Sequence, residues 1–287
     1  MNRNPSRVAD AIGRVHAVAR ADARIVSLVP SITELLFELS AGDRLVGRTG
    51  FCIHPRQRIR TVPKVGGTKS VDVEAIRALA PTHLIVNIDE NEKPTIDQLA
   101  GFVPNVIVTH PLGPLDNLPL YRLLGGIFGR ESKAADLCED FQKAYVNAVG
   151  ACADLPRERV LYLIWKSPWM TVSRDTYISR TLAAIGWDTL ETDSKDRYPK
   201  IELTPELLSG VDRVLLSSEP YAFRERHLEE IRQILFADDT DFVPTPMEEP
   251  ESSVTVSLID GEMTSWYGSR AIEGMKYLAR LRAGDVR

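Results

Sequence analysis

The sequence predicts an α/β protein of two Rossmann-like lobes, each with a small parallel sheet, joined by one long backbone helix and leaving a ligand cleft between the lobes. Three observations predict it. Short apolar runs alternate with helical segments, the pattern of a largely parallel sheet with crossover helices. A stretch of helical periodicity sits midway along the chain, and the second half repeats the order of the first. The 287 residues also exceed the usual length of one domain, so two cores of ordinary size are expected.

Taken in order, residues 1–23 predict an N-terminal helical extension, because Ala11, Ile12, Val15, Val18 and Ala19 recur at helical spacing. The N-terminal lobe is expected over 24–130. It opens with a strand at Arg24–Leu28, a turn at Val29-Pro30-Ser31 and a helix from Thr33 to Leu39, with Ser31 as N-cap and Glu34 completing a capping box. Further strands are expected at Leu45–Val46, Leu84–Val86 and Val106–Val108. The connecting helix is expected over 131–154, where Ala134, Leu137, Cys138, Phe141, Tyr145, Ala148 and Cys152 form one apolar stripe. About twenty residues of helix span roughly 30 Å. The C-terminal lobe, 155–287, restarts with a strand at Arg159–Ile164 and a helix near Tyr177–Ile185. Val71–Asn87 and Leu203–Ser218 both read as an acidic helix start, a short helix and a buried strand. Duplicated lobes of this type bind ligands outside the carboxyl ends of their strands.

Composition excludes several function classes. A net charge of −5 with no basic stripe opposes nucleic-acid binding. No apolar run approaches the roughly 20 residues that cross a bilayer. The N-terminal stretch lacks a continuous apolar segment of about 7 to 15 residues, so the chain as written is expected to be cytoplasmic, or periplasmic if its start codon is misassigned. The three cysteines favour a reducing compartment. Cys138 and Cys152, about 20 Å apart on one helix, cannot bridge. Gly66-Gly67-Thr68-Lys69-Ser70 lacks the spacing of a phosphate-binding loop and reads as a tight turn. The hydrolase, zinc-protease and redox signatures G-x-S-x-G, H-E-x-x-H and C-x-x-C do not occur.

The stretches RIVSLVPSITELLFEL from Arg24, LVGRTGFCIHP from Leu45, VPKVGGTKSVDVEAIRALAPTHLIVN from Val62 and ELTPELLSGVDRVLLSSEP from Glu202 resemble the helical-backbone substrate-binding proteins of ABC importers. That group holds cobalamin, iron-siderophore and heme receptors. The resemblance covers about residues 24–282 and implies a non-catalytic receptor for cobalamin or a related corrinoid or metal chelate, bound as ligand. It also implies that Glu74 and Glu206, each at the start of a helix on a lobe tip, dock onto an ABC permease. An acid in a first helical turn also complements the helix dipole without any partner.

The strand-end loops supply candidate cleft walls. In the first lobe these are Pro30, Ser31, Phe51, Cys52, His54, Gly67, Glu90 and His110; in the second they are Trp165, Trp169, Glu219, Tyr221, Trp266 and Tyr267. Aromatic rings would bury the face of a flat macrocycle. Cys52, His54 and His110 would make a soft metal site if their loops converge. Two alternatives remain at this point. One is a receptor for siderophore-bound iron or a metal ion, with Arg48, Lys69 and Lys166 as the basic residues. The other is an enzyme that recruited the cleft, with Glu219 or His110 as general base.

Overall fold

A computed structural model describes residues 9–192, 194–235 and 254–284. The chain divides into two compact units. Unit 1 comprises Met1–Pro111, Leu115–Lys143 and Tyr267–Ile272; unit 2 comprises Leu112–Pro114, Ala144–Trp266 and Glu273–Arg287. In chain order the elements are β1 (Ile25–Ser27), α1 (Pro30–Glu38), β2 (Leu45–Arg48), α2 (Val73–Ala78), β3 (His83–Asn87), α3 (Lys93–Ala100), β4 (Asn105–Thr109), α4 (Asn117–Phe128) and α5 (Glu131–Cys152). There follow β5 (Glu158–Leu163), α6 (Tyr177–Ala184), β6 (Trp187–Thr189), α7 (Pro205–Ser209), β7 (Arg213–Ser217), α8 (Glu225–Leu235), β8 (Thr255–Ile259), α9 (Gly261–Ser265) and α10 (Arg270–Ala283).

The duplication read from the sequence reappears as topology. Unit 1 has a four-stranded sheet in the order β2-β1-β3-β4, and unit 2 has one in the order β6-β5-β7-β8. Every strand pairing is parallel. The central strand β3 is buried at all five positions, as a parallel strand covered on both faces should be. Val26, Leu84, Val86 and Val106 pack with Ile76 and Leu99 in unit 1. Leu161, Leu163, Val214 and Leu216 pack with Leu208 and Ile231 in unit 2.

Local chemistry sets the helix ends. The Asp72 side chain caps α2 by accepting from Ala75 N at 2.9 Å, and Thr204 caps α7 by accepting from Leu207 N at 3.3 Å. Gly129, in the left-handed region at φ 65°, ends α4. Gly125 lets α4 approach α5 closely, since a Cβ there would stand 2.4 Å from the Ala134 Cβ. The long helix α5 buries Ala134, Cys138 and Phe141 in its first part and Ala144, Ala148 and Cys152 in its second. The division into units falls within it. All three cysteines are free and buried.

Two local expectations are corrected. Residues 9–23 form no helix. Gly13 is left-handed at φ 80°, and the Asp10 carboxylate accepts from Ile12 N at 3.1 Å and Arg14 N at 2.8 Å, a side-chain turn that competes with helix formation. The segment lies along the outer strand β4, where Ala11 N donates to Val108 O at 2.9 Å and Val108 N donates to Asp10 Oδ2 at 3.1 Å. Ile12, Val15 and Val18 are exposed rather than packed. The capping box is the second correction. Helix α1 begins at Pro30, three residues earlier than expected, with Val29 at the N-cap making no side-chain cap, and Glu34 pairs instead with Arg270 at 2.7 and 2.9 Å.

Candidate functional site

In unit 1, three segments meet the carboxyl ends of β1, β2 and β3. The first is the start of α1, where Pro30 is half-buried and Ser31 is 4% exposed. The second is Phe51-Cys52-Ile53-His54 with its neighbouring turn. Gly66, at φ +98°, accepts from Gly50 N at 2.7 Å through its carbonyl, and Gly67 N donates to Ser70 O at 2.8 Å. Any Cβ on Gly66 would stand 2.4 Å from Ser70 O, so the tight turn needs glycine there. Phe51 leaves its ring 62% exposed beside Gly67. The third segment, 87–91, is held by amide side chains: Asn91 Oδ1 accepts from Asn87 N at 2.9 Å, and Asn91 Nδ2 donates to Thr68 O at 3.0 Å.

Cys52, His54 and His110 do not form a metal site. Among the described residues no group of three or more His, Cys, Asp or Glu side chains could hold a metal ion. Cys52 is buried under α1, with Thr33 Oγ1 3.1 Å and Thr49 Oγ1 3.2 Å from its sulfur, and burial pushes its thiol up. That favours the protonated thiol over the thiolate that ligates metals. His110 instead stands 3.3 Å from the Asp89 carboxylate. His54 is half-buried beside Pro55. Of the basic residues considered for a chelate, Arg48 is buried and donates to Val62 O, Thr49 O and Cys52 O. It is spent on the backbone.

Glu90 meets Tyr267 within unit 1. The Tyr267 hydroxyl donates to Glu90 Oε1 at 2.5 Å, and burial, with the Glu90 charge adding, raises the phenol well above its ordinary value. The same short segment is fixed by Gly268 N donating to Asn117 Oδ1 at 2.6 Å and Tyr121 Oη donating to Gly268 O at 2.8 Å. Tyr267 is 7% exposed, so it is a buried clamp rather than an open wall.

Unit 2 offers rings in place of amides. Trp165 is 40% exposed and meets Tyr221 edge-on at 5.7 Å. Trp169 stacks on Phe223 at 6.0 Å with planes 2° apart, and Tyr221 lies 4.7 Å from Phe223. His227 closes the group, 5.4 Å from Phe223 and 5.6 Å from Tyr221. Lys166 pairs with Glu230 and stands 5.6 Å over the Trp169 ring. Trp266 behaves differently. It is 9% exposed, and its Nε1 donates to Glu219 Oε1 at 2.7 Å while Ser265 Oγ donates to the same oxygen at 3.0 Å. Burial raises the Glu219 carboxyl, which those two donors partly offset.

Sequence reasoning missed Phe223 and His227, which complete the ring cluster, whereas Ile88, 48% exposed after β3, lies in the expected 87–90 loop. Phe223 stands two residues beyond Tyr221 and His227 four beyond Phe223, a spacing that could have flagged both.

Glu74 and Glu206 occupy the same place in the two halves. Each is the second residue of the short helix before the central strand, α2 before β3 and α7 before β7, and each is exposed. Glu74 lies 3.4 Å from Arg77. The Thr204 hydroxyl holds the Glu206 carboxyl below its ordinary value.

Known proteins align with this architecture. A vitamin B12-binding protein of Pectobacterium carotovorum is 22% identical over 201 residues, covering 69% of this chain and 72% of that protein. One from Yersinia pestis is 24% identical over 189 residues, covering 64% of this chain and 65% of that protein, just under two thirds. A solved periplasmic heme-binding protein from Roseiflexus superposes with a TM-score of 0.74 at 20% identity, covering 92% of this chain and 99% of that one. No helix among the described residues is long and apolar enough to cross a membrane. Residues 25–203 match the family described as periplasmic binding protein, and the chain belongs to that family.

Proposed function

We propose that the protein is a non-catalytic receptor that binds a tetrapyrrole metal chelate, cobalamin or a related corrinoid first and heme second. The observation that carries this reading is the ring cluster of unit 2. Trp165, Trp169 and Tyr221, backed by Phe223 and His227, present stacked and edge-on faces. Aromatic faces bury a flat macrocycle over a large area. The relatives support the same class, being named for vitamin B12 and heme. In unit 1, exposed Phe51 supplies apolar surface beside Gly67, and Ile88 is exposed after β3.

A raised, part-buried acid is one mark of a catalytic carboxyl, and Glu219 has it. Its Oε1 is already taken by an indole and a hydroxyl, which supports an anchoring role for the loop over a proton-transfer role. The iron-siderophore alternative loses one of its cations, since Arg48 is committed to three carbonyls.

As part of the same reading, Glu74 and Glu206 contact the arginines of an ABC permease. Their matched placement and exposure support it. The double substitution Glu74→Ala with Glu206→Ala should leave chelate binding unchanged and abolish cellular uptake of labelled cyanocobalamin. Unchanged uptake counts against docking.

The test of binding is a titration of the full chain with hydroxocobalamin, and separately with hemin, read by the visible bands and tryptophan fluorescence. Saturable quenching with at least one chelate is expected at micromolar concentration, weakened about tenfold or more in Trp165→Ala, the scale of one lost aromatic contact in a binding hot spot. No change with either at tens of micromolar would falsify the reading.

A further inference from the structure

The two units start their first helix differently. In unit 2, α6 follows β5 and is closed by its own N-cap: Thr176 Oγ1 accepts from Ser179 N at 3.3 Å. In unit 1, α1 follows β1 with Val29 at the N-cap and no side-chain cap. Pro30 carries no N–H, Thr33 N already donates to Val29 O at 2.9 Å, and the amides of Ser31 and Ile32 are left as the first-turn donors of the helix. Ser31 Oγ is buried and makes no hydrogen bond, in a residue only 4% exposed. A nine-residue helix therefore points two free amides, its positive dipole end and one unsatisfied hydroxyl at the same place, beside the half-buried Pro30.

We infer that the first turn of α1, with the Ser31 hydroxyl and the Ser31 and Ile32 amides, is an oxyanion subsite that takes a carboxylate or phosphate group of the bound chelate. Three convergent donors suit such a group, and bonds to an ionised oxygen are the stronger kind. Two acids stand close by, each with a partner of its own: Glu90 accepts from the Tyr267 hydroxyl, and Asp89 lies 3.3 Å from His110. The Tyr267 hydroxyl lies beside Ser31 and is held down slightly by it, yet its proton goes to Glu90. The buried hydroxyl is left for a ligand. Only the identity of the ligand rests on the receptor reading above; the donor set stands without it.

The experiment uses amide NMR of the full chain titrated with inorganic phosphate and, separately, with acetate, against sodium chloride at matched ionic strength. The Ser31 and Ile32 resonances should shift saturably, those of Ile178 and Ser179 at the capped start of α6 should not, and Ser31→Ala should weaken the response about threefold or more, as expected on losing one of three donors. The stronger of the two probes names the source group. No saturable shift, the same shift with chloride, or an equal shift at α6 overturns the subsite. In a second arm, hemin should bind about tenfold more tightly than its dimethyl ester, in which both propionates are blocked. Equal binding of the two overturns the subsite while leaving the receptor reading intact. Anion shifts without any chelate binding support the subsite and sink the receptor reading.

Discussion

The two units carry the same sheet order and the same helix placements, yet their strand ends hold different chemistry. Unit 1 fixes its loops with backbone and amide hydrogen bonds, through the Gly66-Gly67 turn and Asn91, and leaves α1 uncapped. Unit 2 fills the corresponding region with stacked rings and caps α6 with Thr176. The difference teaches that duplication conserves topology through buried apolar strands, whereas the strand-end loops are free to diverge because no core depends on them. One half then offers polar donors and the other apolar area.

The largest expected contrast lies at the amino ends of the first strands. In unit 2, Glu158 holds Arg213 at 2.8 Å and Arg282 at 2.6 Å, and accepts from Trp187 Nε1 at 3.0 Å. In unit 1 strand register puts Ala23, which has no polar side chain, at the matching place, and its neighbour Arg24 donates through its side chain to Leu79 O. Glu158→Ala strands the buried Arg282 and should cost about 3 kcal/mol in urea unfolding, whereas Arg24→Ala should cost under about 1 kcal/mol. Similar losses at both positions would erase the contrast.

Next come two glycines. Gly66→Ala meets both a positive φ and the Ser70 carbonyl, for an expected loss of about 2 to 3 kcal/mol. Gly186→Ala, at φ +88° with open space around it, should lose about 1 kcal/mol. Thermal unfolding of the two variants side by side checks the order.

The pH responses of one group in each unit run in opposite directions. Burial, aided by the charges of His16 and Arg44, pushes His83 in unit 1 down to about 4 from 6.5. Its unfolded form takes up a proton first, so its contribution is full above pH 6.5 and is lost as pH falls towards about 4. Glu219 in unit 2 is raised by burial. Its contribution is full below the ordinary glutamate value and is lost as pH rises through the raised one. His83→Asn should therefore flatten the acid side of the stability profile, and Glu219→Gln should raise the melting temperature at pH 8 while changing little at pH 4. The smallest effects are expected at the matched caps, where Asp72→Ala and Thr204→Ala should each cost about 1 kcal/mol.

Much of the fold was legible because it rests on periodicity. The buried strands, the α5 stripe and the paired segments around β3 and β7 all announce themselves in apolar spacing. The N-terminal segment misled because Ile12, Val15 and Val18 have helical spacing, while one left-handed glycine and one Asp side chain decide the backbone. The site was legible by loop but not by direction. Trp266 and Tyr267 sit in the expected loop, yet their polar atoms turn to Glu219 and Glu90, partners 47 and 177 residues away in sequence. The missing cap on α1 was equally invisible, since Ser31 has the composition of an N-cap and falls two residues past the cap position.

The most direct test of the central claim is hydrogen–deuterium exchange of the full chain with and without saturating hydroxocobalamin or hemin. The account predicts new protection at residues 165–170 and 219–223, around the ring cluster of unit 2. Chelate binding with no new protection at those residues would contradict it.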